Sequence, residues 1–290
     1  MDFEILFQVL IGGLMLGGLY AVVAFGLSLI YGVVRILNFA HGTLLAVSGV
    51  AASLLFSAWG VHPVLIVLLL APLLFVGAYA YYHFLLRPLS SRNHFEGTVG
   101  TVLVTVGTLM ILSDITAKLA GATQRNIPLR LEAIELGNIV ISATQLLILV
   151  GIVVLTIVMH LMLKFTRFGK AIRAVTQDAT GAAICGVQST RMKALTFAFG
   201  SSTVAIAAVL YVLSFPVDPY MGFHLTVKAF TIIVVGGIGN LPGALGAGIF
   251  LGIAEGLTGL YWKPEWAPAL SVILMLAILV ARPKALGGKA

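Results

Sequence analysis

Nine mostly apolar runs, at about 5–31, 43–58, 62–86, 98–117, 143–163, 192–214, 225–238, 243–261 and 267–281, take up most of this chain. A helix that crosses a bilayer needs about 20 such residues, so runs this numerous leave room only for short connections. The expected fold is all-α, a polytopic transmembrane helical bundle of about 8–10 membrane segments forming a single domain over 1–290. Two runs, 43–58 and 225–238, are short for a full crossing and are flanked by Gly, Pro or polar residues. They are expected to be broken or re-entrant, a geometry tolerated where protein or a water-filled cavity covers the freed backbone.

Composition agrees. Hydrophobic residues make up 60% of the chain and charged ones 9%, against about a quarter charged in soluble domains. The formal net charge of +7 does not point to nucleic acid, because the basic residues sit in short loops between apolar runs, as in cytoplasmic loops of membrane proteins. Lys164, Arg167, Lys170, Arg173, Arg191 and Lys193 crowd one connection with a single acid, Asp178. Threading outward from it places Arg35, Arg87, Arg92, Arg282, Lys284 and Lys289 on the same side, giving an outside N-terminus and a cytoplasmic C-terminus for nine crossings. Met1 to Val34 holds no Lys or Arg, so the first run is expected to be kept rather than cleaved as a leader. The longest outer loop, 118–142, reads as a connector or a small surface element. The lone cysteine, Cys185, excludes an intrachain disulfide and a multi-cysteine metal site.

Two acids fall inside apolar runs, Asp114 near an outer end and Glu255 deeper. Ionisable groups in the membrane are costly and mark function or a specific pairing. For Glu255 the expected pairing is an interhelical hydrogen bond or Lys228, with contact to a substrate ammonium as the alternative. Around Gly32–Gly42 and Gly236–Gly243 an apolar run breaks at an Asn-containing segment, Asn38 or Asn240, and resumes with small residues. Paired interruptions in two halves point to a translocation path, and Asn38, His41, Gly237, Asn240 and Glu255 are its candidate residues. His41 reads as a hydrogen-bonded structural histidine or a titrating gate. Gly236–Gly243 lacks the Gly-Lys-Ser/Thr ending of a phosphate loop, so nucleotide binding by this chain is disfavoured. His41, His62, His83, His94, His160 and His224 are scattered, which disfavours a membrane enzyme or a metal site. A channel or secondary transporter would need more intramembrane charge than Asp114, Glu255 and Lys228 supply.

The Ala-rich, basic stretch 169–186 suits a short amphipathic cytoplasmic helix, with Val175, Ala179, Ala182, Ala183 and Cys185 as its apolar stripe. Its pattern Gly169, Ala171, Arg173, Ala174, Asp178, Ala182, Gly186 resembles the coupling segment of permeases in branched-chain amino acid ABC importers, the LivH-like family. Residues 26–42 and 228–256 resemble that family's N-terminal and C-terminal signatures, although Asn240 stands where the family often has Ser. The resemblance implies a non-enzymatic permease subunit of the bacterial inner membrane. It also implies a sibling permease, two nucleotide-binding ATPase subunits that bind the ATP, and an extracytoplasmic solute-binding protein. Within the coupling segment at about 164–190 it assigns ATPase coupling to Gly169, Arg173, Ala174, Asp178, Ala182 and Gly186. The implied substrates are leucine, isoleucine and valine, with urea or short-chain amides as the alternative.

Overall fold

The structure, a computed structural model, describes residues 3–90, 94–129, 132–136 and 139–281. Helices account for nearly all of it: α1 (Phe3–Val34), α2 (His41–Trp59), α3 (Pro63–Tyr81), α4 (Arg87–Ser90), α5 (His94–Ala120), α6 (Ala143–Phe165), α7 (Arg167–Gln177), α8 (Ala179–Ile184), α9 (Ser189–Val212), α10 (Gly222–Gly236), α11 (Leu241–Tyr261) and α12 (Ala267–Ala281). A π-helical turn, Tyr82–Leu86, joins α3 to α4. Among the described residues, seven helical stretches are long and apolar enough to cross a membrane, and α10 and part of α12 are shorter apolar helices. The chain is thus a multi-pass membrane protein.

Of the two segments expected to be broken, α2 is one continuous helix long enough to span, because the run extends back to His41. Helix α10 is short, its 15 residues reaching about 22 Å at 1.5 Å per residue, less than the ~30 Å hydrocarbon core. The outer connection is more than a plain loop. Strands β1 (Ala133–Leu136) and β2 (Ile139–Ser142) pair antiparallel within it, and Arg125 exchanges two backbone hydrogen bonds with Val217, both 2.8 Å. That loop is thereby stapled to the chain entering α10.

Burial divides the helices into a centre and a periphery. The spanning windows of α1 and α9 are 67% and 78% buried, against 17% for those of α3, α5 and α6. The outer three turn Leu, Val and Ile toward their surroundings, as lipid or a partner's helices require. Close approach at the centre rests on small residues, because without a hydrophobic drive in lipid, helices associate by packing. Gly13 and Gly17 of α1 face Gly248 and Gly252 of α11, both pairs four residues apart. A Cβ on Gly17 would fall 2.5 Å from the Gly248 carbonyl oxygen.

Candidate functional site

The basic connection between α6 and α9 folds as a hairpin of two short helices rather than the single helix expected. Thr166 caps α7, its Oγ1 accepting from Gly169 N at 3.1 Å. Asp178 adopts an extended backbone that ends α7, and its Oδ1 accepts from Thr180 N at 2.9 Å to start α8. A short polar side chain satisfying the first free N–H groups is what interrupts the run. Most residues of the coupling pattern shape this hairpin. Gly169 sits so close to the end of α6 that any Cβ would run into the Leu163 carbonyl. The Arg173 guanidinium donates to the carbonyls of Leu163 and Lys164, a cation on the negative end of α6. Gly186 turns the chain at φ 83°, and Ala174 is half-buried. Ala182 is buried with Ile172, Val175, Ala194 and Phe197, so it faces its own chain. The stripe is therefore split: Ala183, Ile184 and Cys185 are exposed, Ile184 by 83%. Nothing in the sequence distinguishes Ile184 as the apolar tip, since an Ile at that spacing suits a buried face equally well.

Between this hairpin and the bundle lies a cavity of about 840 Å³. Its walls are the last turns of α1 and α6, one face of α7 and the α10–α11 turn, bringing together Arg35, His160, Lys164, Arg173, Ser28 and Asn240. The turn is built by positive φ at Gly237 (89°) and Gly239 (75°), backbone that residues with a Cβ rarely adopt. Asn240 caps α11, its Oδ1 accepting from Gly243 N at 3.2 Å, and Gly239 N donates to Ser28 Oγ of α1 at 2.6 Å. The turn is thus hung on α1 while facing the hairpin. Arg35 and His160 have no sequence pattern that would place them at one cavity.

The other break begins at Arg35, which is exposed at the cavity, and from Ile36 to Ala40 it is buried or half-buried in protein. Asn38 Oδ1 accepts from Ala40 N at 3.1 Å, and Thr105 Oγ1 donates to Leu37 O at 3.2 Å. His41 is fully buried, its Nε2 3.1 Å from Val23 O. Gly42 N donates to Thr226 Oγ1 of α10 at 2.9 Å, where a Cβ on Gly42 would collide with Gly222 O. The five residues proposed for a path therefore separate: Asn240 lines the cavity beside Gly237, Asn38 and His41 lie in the buried break, and Glu255 lies apart.

Glu255 joins four helices. Its Oε2 is 2.9 Å from Lys228 Nζ of α10, its Oε1 accepts from Ser271 Oγ of α12 at 2.5 Å, and Lys228 donates to Tyr20 OH of α1 at 2.7 Å. Lys228 also lies over the Tyr20 ring, 4.6 Å from its centroid. The pairing expected for Glu255 is present, while Tyr20 and Ser271 carry no signal in sequence. Asp114, at the outer rim, is exposed and accepts from Tyr220 OH at 3.3 Å.

The chain has relatives in sequence among branched-chain amino acid permeases. The permease LivH of the high-affinity branched-chain amino acid transport system of Escherichia coli K12 is 27% identical over 97% of this chain and 95% of its own. BraD, the corresponding permease of Pseudomonas aeruginosa, is 29% identical over the same shares. A probable LivH of Methanocaldococcus jannaschii is 26% identical over 97% and 92%. Among solved structures, PsaBC from Streptococcus pneumoniae in complex with Fab aligns over 96% of this chain and 92% of that one. Its TM-score is 0.51 at 12% identity, a likeness of fold alone. The family model described as "Branched-chain amino acid transport system / permease component" matches residues 9–279, and the chain belongs to that family.

Proposed function

We propose that this chain is the membrane pathway of an ATP-driven importer of leucine, isoleucine and valine. Its partners are a sibling permease, two ATPase subunits that bind the ATP, and an extracytoplasmic binding protein that supplies most of the specificity. The family match over residues 9–279 carries this proposal. In a bacterial inner membrane the N-terminus lies outside and the basic α7–α8 hairpin faces the cytoplasm. Gly169, Arg173, Ala174, Asp178, Ala182 and Gly186 hold the hairpin's shape, while Ala183, Ile184 and Cys185 present its apolar tip to an ATPase. Motion of the tip passes through α7 to the Gly237–Asn240 turn across their shared cavity. Asn38, His41 and the Glu255–Lys228 pair hold the bundle around the path, and no covalent step occurs in this chain.

Uptake by the reconstituted complex tests the proposal, with leucine, isoleucine, valine, urea and short amides offered in turn. ATP-dependent accumulation of the three branched-chain amino acids is expected. Accumulation of urea or amides without them would contradict the substrate, and accumulation of leucine without ATP would contradict the importer. Ile184→Glu is expected to leave folded yield unchanged and to abolish ATPase co-purification or uptake, because a charge would enter an apolar contact.

A further inference from the structure

The cavity between α7 and the α10–α11 turn carries a charge imbalance that no acid among its lining residues offsets. Arg35, Lys164 and Arg173 line it with His160, and no Asp or Glu does. The ion pair found among the described residues joins Lys228 to Glu255, well away in sequence from all four. Asp178, the acid nearest in sequence, is engaged at the start of α8 through Thr180 N. Like charges gathered in a concave site repel one another and attract anions. Lys164 and His160 are four residues apart on α6 and so share one face.

The rest of the lining narrows the ligand. Leu163, Ile238 and Pro242, half-buried or exposed, supply an apolar wall beside the basic groups. Lys164 lies in the last turn of α6 and Arg35 just beyond α1, the level at which spans leave the hydrocarbon. A free phosphate would use the cations and leave the apolar wall bare. A phospholipid offers both a phosphodiester and a glycerol-acyl portion, and basic pockets between membrane helices are suited to such headgroups. The volume also lies within the range of about 300–1,000 Å³ usual for ligand pockets.

We propose that this cavity is a binding site for an anionic phospholipid, whose phosphate is held by Arg35, Lys164 and His160 and whose acyl end lies on Leu163 and Ile238. A lipid there wedges between α7 and the Gly237–Asn240 turn, so lipid composition sets how freely the two move. The site deepens the functional proposal by adding a regulator to the coupling region, yet lipid binding is measured without transport and stands or falls separately.

Native mass spectrometry of the full-length protein, purified in detergent with the subunits that accompany it, tests the site. Phosphatidylglycerol, phosphatidylcholine of the same chains, inorganic phosphate and leucine serve as probes. Phosphatidylglycerol is expected to be retained at least tenfold more tightly than phosphatidylcholine. Arg35→Gln with Lys164→Gln is expected to remove that preference, while Lys118→Gln with Lys263→Gln at the opposite end keeps it. If the first pair fails to give monodisperse protein, His160→Gln with Lys164→Gln replaces it with the same expectation. Equal retention of the two lipids, or an unchanged preference in the cavity variants, overturns the proposal. So does displacement of the lipid by inorganic phosphate or by leucine at comparable concentration, which would assign the cavity to a free anion or to the transported solute.

Discussion

The two interruptions of the helical pattern, Arg35–Ala40 and Gly237–Asn240, each hold an Asn whose Oδ1 accepts from a backbone N–H two or three residues on, yet they sit in different surroundings. The first is enclosed beyond Arg35, which lines the cavity. Asn38 and His41 are 1% and 0% exposed, and its backbone groups are met by Thr105 on α5 and Thr226 on α10. The second is open, with Gly239 and Asn240 exposed. It is held by its own cap and by one bond to Ser28. A freed backbone inside a membrane protein needs either partners from other helices or a wet cavity, and each break uses one of these solutions. The enclosed break acts as a lock between α1, α2 and α10. Under the proposed coupling the open one is where movement is expected.

Helix α10 connects them, touching α2 at one end and entering the turn at the other, so the pair that ties it to α11 gives the largest expected effect. Glu255→Leu leaves Lys228 charged with Tyr20 but no counter-ion, a change that costs about 3–5 kcal/mol when a buried pair loses one member. Folded yield from the membrane should fall sharply, and adding Lys228→Met should restore much of it. A double variant no better folded than Glu255→Leu would show that the pair is not what holds α10 to α11. Glu255→Gln keeps a hydrogen bond to Ser271 but removes the counter-charge, and its thermal midpoint should lie between wild type and Glu255→Leu.

At the enclosed break, Gly42→Ala forces a Cβ into Gly222 O, and overpacking of this kind costs about 1–3 kcal/mol. The thermal midpoint of the purified protein should drop, and uptake per folded molecule should change little. At the open break the balance should reverse. Asn240→Ala removes a helix cap worth about 1 kcal/mol, so folding should be nearly intact while uptake falls. Equal loss of stability at the two positions would erase the distinction between lock and hinge.

The helices were largely legible from the chain, because apolar runs near 20 residues have few alternatives in a membrane protein. The 43–58 run looked too short only because His41 and Gly42 are not apolar, although both lie inside α2. The Glu255–Lys228 pairing could be anticipated because an intramembrane acid needs a partner. Tyr20 and Ser271 could not, since either residue in an apolar run is usually unremarkable. In the coupling pattern the residue types were informative and their directions were not. Ala182 and Ala183 differ in burial because Asp178 restarts the helix, and the phase of α8 depends on that interruption. Arg173 reads as a docking charge in sequence, yet it caps the carbonyl end of α6, so Arg173→Glu would disturb the hairpin before any partner was involved.

The proposed coupling rests on movement between the hairpin and the open turn, and a spin-label distance reads it directly. In a Cys185→Ser background, labels at Gln177, the last residue of α7, and at Ile238, in the turn, look at each other across the cavity. In the reconstituted complex their separation should shift by several ångströms when ATP hydrolysis is trapped with vanadate, and should return when nucleotide is removed. An unchanged distance distribution, in a complex shown to hydrolyse ATP and take up leucine, would contradict transmission through α7 to the Gly237–Asn240 turn.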